Sequence, residues 1–186
     1  MSKKIAAIFM TGTILFAISK VALSERDDYQ EGDYFWERTQ GVAPVKNPTY
    51  QEECGSCHFA YQPGLLPARS WQKIMDGLDD HFGDNAELSK ETRAKITNYL
   101  VKNSADKSNF RRSKKIMRSI GDKATPLRIT EIPYIKHEHR EIPARLISGN
   151  KRVNSLSNCS ACHIQVVRGS FSERDISIPG YGKWDD

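Results

Sequence analysis

The segments Cys54-Gly55-Ser56-Cys57-His58 and Cys159-Ser160-Ala161-Cys162-His163 use all four cysteines of the chain and two of its five histidines. Two thiols at this spacing reach the two vinyl groups of one porphyrin, and the adjoining histidine then falls beneath the iron as proximal ligand. The motifs therefore predict two covalently bound haem c groups. Cys54 and Cys57 would hold the first and Cys159 and Cys162 the second, with His58 and His163 on the irons. Paired C-x2-C elements also build tetrahedral zinc sites, but a zinc knuckle has no need of a histidine directly after the second cysteine in both copies. A thioredoxin-like redox pair wants a βαβ setting that neither copy has. Two structural disulfides explain neither the spacing nor the histidines.

What such irons can do depends on their sixth ligand. His81, His137 and His139 remain, together with Met75 and Met117, whose places on apolar helical stripes suit core filling. His81 lies three residues after Leu78, on the same predicted buried stripe and 23 residues beyond His58. It is the expected distal ligand of the first haem. His137 and His139 are two positions apart, on one side of an extended segment but about 160–200° apart on a helix, so at most one of them should coordinate the second iron.

The elements that must position these residues read as short. Ser70 predicts an N-cap, and Trp71, Ile74, Met75, Leu78 and Phe82 fall on one helical face up to a stop at Gly83. A second helix is expected from Ser89 to about Val101, with Ile96, Tyr99 and Leu100 inward. A third is expected from Asn109 to Ile120, carrying Phe110, Ile116 and Met117 before Gly121. Pro126, Pro133 and Pro143 predict an extended, looping stretch up to the second motif. Ser157 or Asn158 would cap a short helix there. The polar tail from Gly169 reads as a surface strap, and residues 25–50 as an arm.

The expected fold is mainly α, with short helices and long loops packed around two haems in two small haem-binding halves. The boundary falls between Lys102 and Lys115, giving halves at 25–106 and 107–186. A hydrophobic fraction of 38% and a mean hydropathy of −0.60 are lean for an ordinary core, and two macrocycles offer the apolar faces that the chain lacks.

Residues 1–24 read as a secretory signal. Lys3 and Lys4 precede a 14-residue uncharged run at 5–18, and Ala22-Leu23-Ser24 makes a small-x-small cleavage site. The run is short of the roughly 20 apolar residues of a spanning helix. Periplasmic export, with the mature chain beginning near Glu25, suits haem attachment outside the cytoplasm. Cleavage removes Lys3, Lys4 and Lys20 and no acid, so the net charge falls from +5 to +2. Nothing then points to nucleic acid as a partner. The cluster Arg111, Arg112, Lys114, Lys115 and Arg118 reads as a solvated helix face.

The chain resembles the bacterial dihaem cytochrome c family, DHC, from Tyr50 to Pro179. The resemblance rests on both attachment motifs, on Leu65-Leu66-Pro67-Ala68-Arg69-Ser70-Trp71, and on Asp80-His81-Phe82-Gly83-Asp84-Asn85-Ala86. It also rests on Ile129-Thr130-Glu131, His139-Arg140-Glu141-Ile142 and Gly169-Ser170-Phe171. It implies bis-histidine ligation, with His81 distal on the first haem and His139 on the second; His137 is the alternative to His139. It further implies a one-electron relay that takes electrons from a quinol-linked membrane cytochrome b. The acceptor would be a periplasmic monohaem, oxygen-binding c-type cytochrome. A relay of this kind is not an enzyme and keeps no stable small-molecule substrate. The rival expectations are a dihaem peroxidase or reductase with one open iron, and a gas-sensing protein with one labile distal histidine.

Overall fold

The computed structural model describes residues 41–184. The expected signal segment and most of the expected arm lie outside them. The described chain is mainly helical, with five α-helices, a series of single 3-10 turns and one minimal hairpin. None of the described helices is long and apolar enough to cross a membrane.

Helix α1, Pro48–Gly55, starts where the Asn47 side chain accepts the Tyr50 N–H at 2.9 Å and Pro48 supplies a helical φ at the first position. Tyr50 is its one buried residue, so it has no apolar stripe to betray it in the sequence. The Asn-Pro cap was the available signal.

Helix α2, Ala68–Asp76, is shorter than the periodicity from Trp71 to Phe82 predicts. Gly77 ends it, donating its N–H to the Ile74 carbonyl at 3.2 Å, and a separate 3-10 turn covers Leu78–Asp80. Glycine's backbone freedom makes it a weak link in a helix interior, and here it breaks the run. Leu78 is still buried after the break, whereas Phe82 is exposed. Ser70 lies inside α2, fully buried, and the cap comes from elsewhere: the Asp106 carboxylate accepts the Ala68 N–H at 2.7 Å.

Helix α3, Lys90–Lys102, follows the expected course. Ser89 Oγ accepts the Thr92 N–H at 3.1 Å, and Ile96 and Leu100 are buried. Helix α4, Arg111–Ile120, is also as expected and ends at Gly121, whose φ of 63° is one that glycine adopts without strain. Ser113 on α4 is buried and donates to the Gly64 carbonyl at 2.8 Å. Where three prolines predict only loop, Pro133 opens helix α5, Pro133–Glu138. A proline's missing N–H costs nothing at that position.

Helices α2 and α3 pack together, and α4 packs on α5. One apolar cluster runs through Leu65, Trp71, Met75, Ile96, Leu100, Ile116 and Ile132. Ala105, in the stretch where two halves were expected to divide, belongs to this cluster. The C-terminal strap is less superficial than its polarity suggests. Its strands β1, Ser177–Ile178, and β2, Gly182–Lys183, pair antiparallel, with Ile178 opposite Gly182 and buried. Residues 41–42 run against the segment after the second motif, the Val42 N–H reaching the Gly169 carbonyl at 3.0 Å.

Candidate haem sites

At the first site α1 delivers Cys54, half-buried at its end, and the chain then turns so that Cys57 and His58 are exposed. The turn after α2 places His81 opposite His58, with ring centroids 6.2 Å apart and planes 20° from parallel. That turn is tightly specified. The His81 N–H donates to the Asp84 carbonyl at 2.7 Å, Asp80 Oδ1 accepts the Gly83 N–H at 3.0 Å, and Phe82 takes a left-handed φ of 59°. The Arg128 guanidinium lies 4.1 Å from the Phe82 ring centroid and covers the turn.

At the second site Cys159–Ala161 forms one 3-10 turn rather than a capped helix. The Asn158 amide donates to the Val153 carbonyl at 3.2 Å instead of capping the turn. His163 is buried, and its ring lies 6.0 Å from that of His139. His139 sits at the C-terminus of α5, and its ring faces that of His163, whereas His137, two residues earlier on the helix, borders the same cavity but makes no ring contact with His163 among the described residues. His137 is exposed, and its Nε2 accepts a hydrogen bond from Arg140 at 2.9 Å. A cavity of about 460 Å³ is lined by Cys159, Cys162, His163 and His139, with Val153 and Ile178 among its apolar walls.

At His163 and His81 the electrostatics favour the neutral imidazole. Burial, then the nearness of His139 and of Arg112, lowers His163 to about 4. Burial and His58 lower His81 as well, partly opposed by Asp84 and reinforced by Arg128. His58 Nδ1 is 2.8 Å from the Phe59 carbonyl and His139 Nδ1 is 2.8 Å from that of Ile135. Each contact calls for the Nδ1–H tautomer, which leaves the Nε2 lone pair free to bind a metal.

These residues fit a haem at each site. Two imidazoles on opposite faces of one metal, with bonds of about 2.0 Å and ring radii of about 1.1 Å, set their centroids about 6.2 Å apart. Both observed separations match that value. His163 Nδ1 is buried without a hydrogen-bond partner, an orphaned polar atom at the site that the protein's own side chains leave unsatisfied.

The alternative readings of the cysteines fit less well. No three metal-ligating side chains come together among the described residues, as a zinc site would need. None of the four cysteines is paired in a disulfide. Burial pushes the Cys54 and Cys159 thiols up to about 11, which is the reverse of an activated redox pair.

Two neighbours of the sites were not singled out in the sequence. Tyr61 packs its ring 5.1 Å from His58. Arg112, expected on a solvated face, turns inward instead. Its Nη1 donates to the Tyr134 hydroxyl at 2.8 Å and its Nη2 to the Phe171 carbonyl at 3.0 Å, leaving the side chain 19% exposed. Its aromatic neighbours lie 22 and 59 residues away in sequence, so no local pattern could mark it.

A mainly helical chain that wraps two C-x-x-C-H segments, each faced by a second histidine, defines a multihaem c-type cytochrome. A model of the dihaem cytochrome c family, DHC, matches residues 50–171. The chain belongs to that family. It is similar to the X-ray structure of a dihaem cytochrome c from Shewanella baltica OS155, with 40% identity, 75% of this chain and 98% of that chain covered, and a TM-score of 0.62. It is also similar to a dihaem cytochrome c from Rhodobacter sphaeroides, with 41% identity, 70% and 100% covered, and a TM-score of 0.63. A crystal structure of DHC purified from Rhodobacter sphaeroides matches at 40% identity, with 69% and 99% covered and a TM-score of 0.56. No curated protein matches the chain. The protein is thus an electron-transfer cytochrome with two covalently bound c-type haems.

Proposed function

We propose that this cytochrome is a non-catalytic, periplasmic one-electron relay in which His58 and His81 ligate the first iron and His163 and His139 the second. It would draw on a quinol-linked membrane cytochrome b and pass electrons to a soluble monohaem, oxygen-binding c-type cytochrome. The observation that carries this reading is the pairing of imidazoles about 6 Å apart at both sites. The haems would supply reversible one-electron chemistry, and ligation by two histidines at each, His58 with His81 and His163 with His139, would hold the potential below that of a His/Met site. The chain's own part is to fill the sixth position. Carbonyl-anchored Nδ1 atoms at His58 and His139 fix two of the rings, so a change of oxidation state calls for little movement of the ligands. The signal-like segment at 1–24 supports export to the periplasm, where soluble haem partners are met at weak, transient interfaces.

Optical and magnetic-resonance spectra of the holoprotein test the reading. The wild type should be low-spin in both oxidation states and slow to bind CO. His81→Ala should open the first site and His139→Ala the second, while His137→Ala leaves both low-spin. A large high-spin fraction in the wild type would favour the peroxidase, reductase or gas-sensing readings. Opening of the second site by His137→Ala would transfer the ligand role from His139.

A further inference from the structure

Two consecutive residues tie the first site to the second. Tyr61 lies three positions after His58, with its ring 5.1 Å from the imidazole and inclined by 30°. Its hydroxyl crosses to the other end of the chain and donates to the Ser157 carbonyl at 2.7 Å, a contact 96 residues long in sequence. Ser157 is two residues ahead of Cys159. The next residue, Gln62, is fully buried and donates through Nε2 to the Val166 carbonyl, three residues past His163. The tether has a fixed base: the Tyr50 hydroxyl, on the helix that carries Cys54, donates to the Tyr61 carbonyl at 2.8 Å.

We propose that Tyr61 and Gln62 form a clasp that holds the second attachment segment at both ends and sets its position against the first site, with Tyr61 as the positioning residue for electron exchange between the two haems. The argument is geometric. A segment gripped just before its first cysteine and just after its histidine has little freedom left to move as a body. Short 3-10 turns hold themselves weakly, so the Cys159–Ala161 turn takes its placement from such contacts. Tyrosine suits the post because one rigid side chain offers a flat face to the His58 ring and a polar tip to the distant carbonyl. Tyr61 is also the one residue of the clasp that touches a haem-ligating side chain of one site and the backbone of the other. Gln62 completes the grip at a cost, since its Oε1 is buried without a partner. The exchange is a simple one: a single electron passes from ferrous iron at one site to ferric iron at the other, with no bond made or broken.

This inference rests on the relay reading, and the experiment separates the two. The half-reduced holoprotein is used, in wild type, Tyr61→Phe, Tyr61→Leu and Gln62→Leu. Inter-haem exchange is measured by relaxation after flash reduction, and amide hydrogen exchange is measured across residues 155–166. Tyr61→Phe, which keeps the ring and loses only the long hydrogen bond, should slow inter-haem exchange several-fold and raise amide exchange in that segment. Tyr61→Leu should slow it further, with both haems still low-spin and their separate spectra unchanged. Gln62→Leu should raise amide exchange at the Val166 end. Wild-type exchange rates in Tyr61→Leu, with both haems assembled and low-spin, would overturn the clasp and leave the relay intact. Open irons in the wild type would overturn the relay instead, and unaltered amide protection in Tyr61→Phe would then still sink the clasp. If Tyr61→Leu does not assemble, the near-isosteric Tyr61→Phe decides alone.

Discussion

Arg112 offers a direct measure of how far the surroundings of the second site depend on a single side chain. Its guanidinium donates to Tyr134 and Phe171, faces Glu138 Oε2 at 3.4 Å, and sits 5.6 Å from the ring centroids of both Tyr134 and Phe171. Tyr134 in turn donates to Glu138 at 2.8 Å. Burial and Glu138 hold the Tyr134 phenol up at about 12 against the lowering pull of Arg112, so this network keeps its protons across the physiological range. Hydrogen bonds from a charged donor contribute about 1.5–3 kcal/mol each, and each partly desolvated cation–π contact adds about 0.5–1 kcal/mol. Arg112→Lys keeps the charge but cannot fork to two acceptors or lie flat on two rings. It should lose one hydrogen bond and most of the ring contact, about 3 kcal/mol in all. At about 2–4 °C per kcal/mol for a chain of this size, the midpoint should fall by about 6–12 °C. Arg112→Met should lose more, because Glu138, 33% exposed, is left without its counter-charge. Thermal unfolding of the holoprotein, followed by far-ultraviolet circular dichroism and in the haem absorption band, reads both variants. If Arg112→Lys melts with the wild type, the fork is not contributing and the geometric argument fails.

Two further outcomes are expected. Gly169→Ala should destabilise strongly, because Gly169 has a φ of 80° and an added Cβ would collide with the Val42 carbonyl oxygen. Gly180→Ala, at a φ of 79° but facing open space, should lose only the left-handed penalty of about 1–2 kcal/mol; equal losses in a denaturant titration would refute the close-approach argument. At Asp106, burial raises the carboxyl pKa. The Ala68 N–H, the Ser104 hydroxyl, its own backbone N–H and Lys107 outweigh that and leave it below its usual value. Its contribution is therefore present above the unfolded pKa of about 3.9 and lost as pH falls through the lower folded value. Asp106→Asn keeps an oxygen for the Ala68 N–H and loses only the charge, so near neutrality it should cost less than the about 1 kcal/mol of a helix cap removed outright. The difference from wild type should close in strong acid, and a gap that stays constant with pH would remove Asp106 from its capping role.

The chemistry was more legible than the scaffold, for physical reasons. A covalent attachment fixes the order and spacing of Cys54, Cys57 and His58, so the motif is written in adjacent letters. Helices α3 and α4 were legible for a similar reason, since Ser89 and Gly121 mark their ends and Ile96, Leu100 and Ile116 mark their buried faces. The extension of α2 to Phe82 was misread because the apolar period continues past Gly77, which Leu78 obeys by burial and not by helical geometry. Helix α1 carries almost no apolar period. Arg112, Tyr61 and Gln62 act through partners 22 to 104 residues away, a distance at which sequence spacing holds no information.

The same five-residue motif takes two local forms, and this says what the polypeptide must supply. Cys54 closes an eight-residue helix with a single buried side chain, and Cys159 opens an isolated 3-10 turn. Neither form is stable alone in water, so tertiary contacts must hold each in place. The first is held by the Tyr50 bond to the Tyr61 carbonyl. The second is held by the Tyr61 and Gln62 contacts and by the tail, where the Ser177 N–H reaches the Cys162 carbonyl at 2.9 Å and the Ile164 N–H reaches the Asp175 carbonyl at 3.2 Å. His81 sits in a hydrogen-bonded turn, and His139 caps a six-residue helix. On the proposed bis-histidine reading each site would ask the chain for two sulfurs and two ring nitrogens at fixed places, a demand that short, well-bonded turns on a small helical core can meet. A chain with 38% hydrophobic residues then shares its buried apolar side chains between α2, α3 and α4 and the turns and hairpin outside them, with Leu65, Ile132 and Ile178 among the latter, and leaves exposed turns such as that of Cys57 and His58 for attachment.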